Sequence, residues 1–477
     1  MGFVRGVSRN QVLLFPESLD EYIEENNPVR FMDAFVNSLD LQALGFQRAI
    51  PEEMGRPPYD PGDLLKLYVY GYVNRVRSSR RLEREAQRNV EVMWLLGKLA
   101  PDHKTISDFR RDNGKGIKAV FREFTQICRK MELFGGQLVA IDGSKFKAVN
   151  SRQRNYTKAK LERLNRLADE KGQRYLEELD RRDQEEQDNQ KPTVEELQEK
   201  IDQLRSRKEK YAEIQEQMDE TGESQVSLTD PEARNMKLGC AQGTQVSYNV
   251  QISVDAKNKL IVDHDVTNDG HDKNQLSEMA IRAKDILELE SLEVVADKGY
   301  YSSNEIKKCA DGDVIPYLSR PDTGKNRKGL YNREEFRYDR ENDCYWCPAD
   351  KAMQFTGLME YRGQTVRKYE TKACSQCALR DKCSKRKGGR LILRWEKEHV
   401  LEDLARRVRE DPEKLKLRKS IVEHPFGTIK RNMNQGYFLT RGLSGVRTET
   451  SLTMLAYNIK RVLNILGVEK LMEALAA

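Results

Sequence analysis

Two short apolar runs, each ending in an aspartate, constrain this chain most: Leu138-Val139-Ala140-Ile141-Asp142 and Val294-Val295-Ala296-Asp297. Unbroken runs of this length, rich in Val and Ile, read as strands buried on both faces. They predict a mixed α/β core in which strand ends deliver Asp142 and Asp297 to one sheet edge. A third acid, Glu423, stands in Ile421-Val422-Glu423-His424-Pro425, which reads as helix. Three carboxylates from separate elements are the oxygen donors that hard divalent cations require. Two such ions about 4 Å apart can activate a nucleophile and stabilise a leaving oxygen at a phosphodiester. Among 77 acids the triple has competitors. Asp255, Asp263 and Asp265 lie on a predicted hairpin, with Asp269 and Asp272 just after it, and Asp255 reads better as a turn residue.

The rest of the chain alternates in character. Residues 1–135 read as mostly helical, with Asp60 as N-cap and Pro61 in the first turn of one helix. A later helix carries Val120, Phe121, Phe124, Ile127 and Met131 at helical spacing. Arg75, Arg77, Arg80, Arg81, Arg84, Arg88, Arg110 and Arg111 dominate the polar faces here, as in a DNA-binding head or an ordinary helical domain with solvated arginines. Residues 157–224 hold two apolar stripes separated by a break at Asn189-Gln190-Lys191-Pro192, with a Thr193/Glu196 capping box opening the second. This pattern predicts an antiparallel helical hairpin with a coiled-coil seam. Residues 245–302 return to strand and helix, with a turn at Ala256-Lys257-Asn258 and half-buried alternation in YNVQISV. Residues 303–400 read as irregular, and 401–477 as helical.

No run approaches the roughly 20 apolar residues that span a bilayer. The opening MGFVRG has neither a signal-peptide apolar stretch nor the Ser or Thr that N-myristoylation wants at position six. The eight cysteines are therefore expected in a reducing compartment, where clustering favours metal over disulfides. Cys344-x2-Cys347 and Cys374-x2-Cys377 match a tetrahedral structural Zn²⁺ site, and Cys383 competes for one of the four places. Cys128, Cys240 and Cys309 read as ordinary buried or loop cysteines. The net charge is only +6, but the tract Lys382 through Arg390 is basic enough to suit phosphate.

Five segments in order, IDGSKFKAVNS, SLTDPEARNMK, YNVQISVDAKNKLIVDHDVTNDGHDKNQL, VVADKGYYS and IVEHPFGTIKR, resemble a DDE transposase of bacterial insertion sequences. Within these the chain resembles the IS eleven-eighty-two type, of the IS four/five-like group, and the resemblance runs over essentially the whole chain. It implies an α/β, ribonuclease-H-like catalytic core. Asp142, Asp297 and Glu423 would then be catalytic and would ligate two Mg²⁺ (or Mn²⁺) ions. Lys430 falls seven residues after Glu423, as the family's motif around the glutamate asks. The motif's preceding arginine would be Lys419, with Arg418 one place further, and no tyrosine occupies Lys416. Lys430 and Arg431, with Arg110 and Arg111, are the expected DNA contacts. Tyr300 and Tyr301 either stack on a displaced base or pack beside the active strand, and His271 and His424 are secondary candidates.

The resulting expectation divides the chain into a helical DNA-end-binding region at 1–135 and a core from 136–156, 225–302 and 401–477. An inserted helical hairpin occupies 157–224, and a cysteine-rich, zinc-binding insertion occupies 303–400. Such a protein would be cytoplasmic, bacterial and nucleoid-associated. It would bind double-stranded DNA at terminal inverted repeats, cleave and transfer strands into target DNA, and act as a homodimer or larger assembly. The alternative from another class is a non-catalytic, zinc-containing DNA-binding protein derived from a transposase.

Overall fold

The computed structural model describes residues 18–51, 57–151, 154–182, 193–223, 225–238, 243–321, 329–361 and 363–476. Six helices open the chain: α1 Pro28–Asn37, α2 Pro61–Val73, α3 Ser79–Arg88, α4 Val90–Leu95, α5 His103–Asp112 and α6 Gly114–Lys130. Their starts follow local chemistry. Asn27 and Asp60 each accept a backbone N–H as N-caps, with Pro28 and Pro61 in the first turn, where a missing N–H costs nothing. Phe121 and Phe124 on α6 are fully buried. Each such side chain contributes about 1.5–3 kcal/mol on burial.

The main sheet contains β1 Leu138–Lys147, followed after the short pair β2 Asn155–Thr157 and β3 Gln225–Ser227 by β4 Arg234–Lys237, β5 Thr244–Asp255, β6 Ile261–Thr267, β7 Leu292–Val295 and β8 Val314–Tyr317. Strand β1 lies between antiparallel β5 and parallel β7, and β8 continues the parallel side. On its far side β5 pairs with β4 along its first residues and with β6 along the rest. The apolar run suggested a strand ending at Asp142. Instead β1 continues to Lys147, because β5 supplies ladder partners from Asp142↔Ile252 to Lys147↔Ser247.

Helices α7 Lys158–Arg182 and α8 Val194–Thr221 pair between β2 and β3. Cross-helix ion pairs Lys158–Asp219 (2.6 Å) and Lys208–Asp169 fix an antiparallel register. The Thr193/Glu196 capping box forms at the start of α8. The expected break at 189–192 lies outside the described residues, as does Cys240.

Helix α9 Leu276–Leu287 connects β6 to β7, and α10 Ser303–Asp311 precedes β8. The segment expected to be irregular instead forms a five-stranded antiparallel sheet: β9 Arg337–Asp339, β10 Cys344–Trp346, β11 Ala352–Tyr361, β12 Gln364–Glu370 and β13 Ile392–Trp395, with α11 Arg380–Cys383 before the last strand. Its core is small and aromatic, built from Phe336, Tyr345, Met353, Tyr369 and Ile392. Charged residues interrupt the strands, so their alternation is faint in the sequence. Helices α12 Glu398–Glu410, α13 Pro412–Gly427 and α14 Gly442–Ala476 close the chain, with α14 kinked at Gly467 (φ 80°). The α14 helix joins the N-terminal helices and the main sheet into one core. Its buried Asn458 accepts the Ile261 N–H at 2.9 Å and donates to the Ile261 carbonyl at 2.8 Å.

Candidate active site

Strands β1 and β7 run parallel, with Ala140 opposite Val295 at their last shared rung. Asp142 and Asp297 each lie two residues beyond that rung, so the sheet brings both to the same edge. The Asp142 Oδ1 accepts the Gly143 N–H at 3.0 Å, and its Oδ2 stands 3.1 Å from Arg418 Nη1 on α13. Burial pushes the Asp142 carboxyl up to about 6. The Arg418 charge opposes that rise, while the charges of Asp297 and Asp272 add to it. Asp297 caps the short turn Lys298–Tyr300, accepting the Gly299 N–H at 2.6 Å.

Asp272 is the neighbouring carboxylate that spacing left among the competitors. It accepts from Asn249 Nδ2 (2.7 Å) and Gln251 Nε2 (2.8 Å), and Lys145 Nζ stands 3.7 Å away. Burial lowers the Lys145 ammonium, against the charges of Asp272, Asp142 and Asp297. The alternation in YNVQISV predicted one exposed face on β5. Asn249, Gln251 and Ser253 are instead fully buried, because this polar face is occupied by Asp272 and by the Met279 carbonyl, which Ser253 meets at 3.3 Å. Tyr300, fully buried, donates to Gln251 Oε1, so it packs rather than standing open to a base. A Cβ at Gly143 would lie 2.3 Å from Gln251 Nε2 and 2.7 Å from Asp272 Oδ1, which is why the residue after Asp142 is glycine.

The other competing acids are engaged elsewhere. Asp255 accepts from the Gly135, Gly136 and Lys257 backbone as a turn residue. Asp263 and Asp265 pair with Arg282. Asp269 accepts from Gln275 at 3.2 Å.

Glu423 lies on α13, whose Pro425 removes a helical donor and is followed by a π-helical turn at Thr428–Asn432. That turn aims Lys430 at β1. Its Nζ donates to Ser144 Oγ at 2.6 Å and to the Lys145 carbonyl at 2.9 Å, and burial lowers it to about 8. Lys430 therefore braces α13 against β1, and its ammonium is turned inward. The Glu423 side chain is 63% exposed and faces Lys419 at 3.7 Å. His424 bonds the Tyr457 hydroxyl at 2.8 Å, and burial lowers its pKa. Arg431 and His271 are exposed, and Tyr301 is half-buried.

Arg110 is turned inward, toward the Tyr68 ring, the Tyr72 side chain and the Glu449 carboxylate. Arg111 is exposed and held by Asp108 (2.6 Å) and Asp112 (2.8 Å). Cys344 is buried on β10, whereas Cys347, Cys374, Cys377 and Cys383 line one small cavity. Cys128 and Cys309 are buried.

Among the described residues no three His, Cys, Asp or Glu side chains are arranged to hold a metal ion as they stand. The donor chemistry of Asp142 and Asp297 nonetheless fits a hard cation. They are two carboxylates close enough for the Asp297 charge to raise Asp142, and a cation held by them would offset the penalty that burial puts on Asp142.

Two transposase families match parts of the chain. A transposase domain (DUF772) matches residues 17–112, and a transposase DDE domain matches residues 346–463. These matches support a DDE transposase. The second match contains Glu423, while Asp142 and Asp297 lie outside both. No curated protein matches the chain. Among solved structures, a piggyBac transposase synaptic complex with hairpin DNA aligns at a TM-score of 0.30 and 8% identity, covering 94% of this chain and 79% of that one. Among the described residues no helix is long and apolar enough to cross a membrane.

Proposed function

We propose that the chain is a metal-dependent DNA transposase whose active site is the edge of the main sheet at Asp142 and Asp297. The observation that carries this reading is the convergence of two aspartates, distant in sequence, beyond one shared rung of β1 and β7, with the Asp297 charge adding to the rise of the Asp142 carboxyl. A perturbed buried carboxyl with a second carboxylate beside it favours a functional site over a merely structural one. Glu423 is the third donor in this reading, brought in from α13.

The sheet supports a ribonuclease-H-like description of the core: three antiparallel strands (β6, β5, β1) continued by two parallel ones (β7, β8). In the same reading residues 1–135 bind the element's ends, and the paired helices within 157–224 and the small sheet within 303–400 are insertions into that core. Divalent ions of the Mg²⁺ or Mn²⁺ class, when bound by these carboxylates, supply charge neutralisation at the reacting phosphate. The chain's own residues do the rest. Gly143 lets the Asn249–Gln251–Asp272 cluster close against β1, Lys430 braces α13 at Ser144, and Arg431 and Arg111 present exposed positive charge to phosphates. Double-stranded DNA, first the terminal inverted repeats and then the target, is the substrate. Holding two ends together implies a dimer or larger assembly in a bacterial cytoplasm.

The test is cleavage and strand joining on a labelled terminal-repeat oligonucleotide with Mg²⁺ or Mn²⁺, comparing wild type with Asp142→Ala, Asp297→Ala and Glu423→Ala. Loss of both reactions with retained DNA binding in all three supports one carboxylate site. Variants that cut as well as wild type, or a wild type that binds specifically and never cuts, overturn it.

A further inference from the structure

The small antiparallel sheet carries a second chemical feature, independent of the reading above. Three short segments converge beside it: the turn after β10 with Cys347, the 3-10 turn Lys372–Gln376 leading to Cys377, and the helical turn ending at Cys383. Cys347, Cys374, Cys377 and Cys383 line a single cavity of about 20 Å³, with Pro348, Met353 and Leu379 among its other walls. That volume is close to what one water-sized occupant needs.

The backbone is shaped around these sulfurs. The Lys351 N–H donates to Cys347 Sγ at 3.4 Å, and the turn is closed by Cys347 N–H to the Lys351 carbonyl at 3.1 Å, with Asp350 at positive φ. Gly389 (φ +83°) passes so close that a Cβ there would lie 2.4 Å from Cys374 Cβ and 2.9 Å from its sulfur. Cys344, by contrast, is a β10 ladder residue opposite Asp339 and Gln354. It is 2% exposed and does not line the cavity.

We infer that Cys347, Cys374, Cys377 and Cys383 form a structural Zn²⁺ site and that Cys344 is not a ligand. Four sulfur donors suit a closed tetrahedral zinc site, in the spacing Cys-x26-Cys-x2-Cys-x5-Cys. On binding, four metal–sulfur bonds form and each thiol gives its proton to solvent, leaving a thiolate. Cys347 and Cys383 pack against a core of only five buried residues, and the four sulfurs, not within ligand distance of one ion as they stand, would be drawn together by it from their turns. Binding is therefore folding energy for this subdomain.

The test uses the full-length chain, purified reduced and without chelator. Its metal content is read by elemental analysis, and thiol protection is mapped by alkylation and mass spectrometry. The expected result is about one zinc per chain, with Cys347, Cys374, Cys377 and Cys383 protected together and released together by chelator, while Cys344, buried in β10 whether or not it is a ligand, is assigned by substitution. Cys344→Ser keeps stoichiometric zinc, and Cys383→Ser loses it. Zinc retained by Cys383→Ser but lost from Cys344→Ser overturns the ligand set, and a reduced wild type that takes up no added Zn²⁺ overturns the site. Where Cys344→Ser fails to fold, Cys344→Val, apolar in the same buried place, carries the test, and loss of zinc from both overturns the ligand set. None of these readouts depends on DNA cleavage, so they stand or fall apart from the transposase reading.

Discussion

Arg418 and Asp142 face each other across α13 and β1 at 3.1 Å, about three-quarters removed from solvent on both sides. Arg418 is the cation that most opposes the penalty burial places on the Asp142 carboxylate, and it does not cancel it, since the carboxyl still sits at about 6. A carboxyl held above its unfolded value binds protons more readily in the folded state. Its contribution to stability therefore falls as pH rises from about 4 to about 6 and stays unfavourable above. In the presence of chelator, Asp142→Asn is expected to be more stable than wild type at pH 8 by roughly 1–3 kcal/mol while losing cleavage. The gain should vanish near pH 4. Equal unfolding midpoints at pH 8 would show that the carboxylate is not penalised where it stands.

Gly143→Ala tests how tightly the site is built. The added methyl meets Gln251 Nε2, Asp272 Oδ1 and Asn249 Oδ1, all within 3.0 Å, on three side chains joined through the bonds that Gln251 Nε2 and Asn249 Nδ2 donate to Asp272 Oδ1. Those side chains must give way, at a cost of about 1–3 kcal/mol. The expected outcome is a lower melting temperature together with reduced strand cleavage at saturating metal, because Asp142 shares its backbone with the displaced residue. Unchanged melting would mean that the cluster is looser than its distances indicate.

What the sequence made legible was local. The Asp60–Pro61 helix start, the Thr193/Glu196 capping box and the turn between Asp255 and Leu260 all depend on neighbouring residues, and each stands where spacing put it. What the residues alone do not show depends on tertiary contact. Asn249, Gln251 and Ser253 look like an exposed strand face until Asp272 and α9 cover them. The five strands of the small sheet are short and charge-laden, and only their shared aromatic core identifies them. Cys344 and Cys347 are a pair in sequence, but β10 turns one into its sheet and leaves the other at the cavity. Arg110 and Arg111 are likewise adjacent in sequence and point oppositely, one at Tyr68 and one at solvent.

The join between the N-terminal helices and α14 rests on Arg77 and Glu449, 5% and 0% exposed and 3.1 Å apart. Glu449 also accepts the Leu439 and Thr440 backbone N–H groups and the Thr440 hydroxyl (2.7 Å). Glu449→Ala leaves a buried guanidinium and two backbone donors without their acceptor, a loss of about 3–5 kcal/mol. Glu449→Gln keeps the shape and one acceptor oxygen, and should lose less. Hydrogen exchange should report the difference first in α2, α3 and the first half of α14. Exchange rising uniformly over the whole chain would mean that the pair is no local tie.

The pH dependence of stability should contain two opposed contributions that separate by mutation. His264 is fully buried, edge-on to Phe121 at 4.5 Å, with Nε2 2.9 Å from Ser451 Oγ. Burial, helped by Lys118, Arg282 and Arg122 and opposed by Asp265, lowers it to about 3. The unfolded chain protonates this histidine below about 6.5, the folded chain only near 3, so its contribution to stability grows as pH rises across that interval. Asp142 slopes the other way between about 4 and 6. Each group alone contributes at most about 1.4 kcal/mol per pH unit, so in wild type the two largely cancel over that window. Relative to wild type in chelator, His264→Asn should unmask a fall in stability with rising pH, and Asp142→Asn a rise. Parallel curves for all three proteins between pH 4 and 6 would refute both assignments at once, whatever the absolute stabilities.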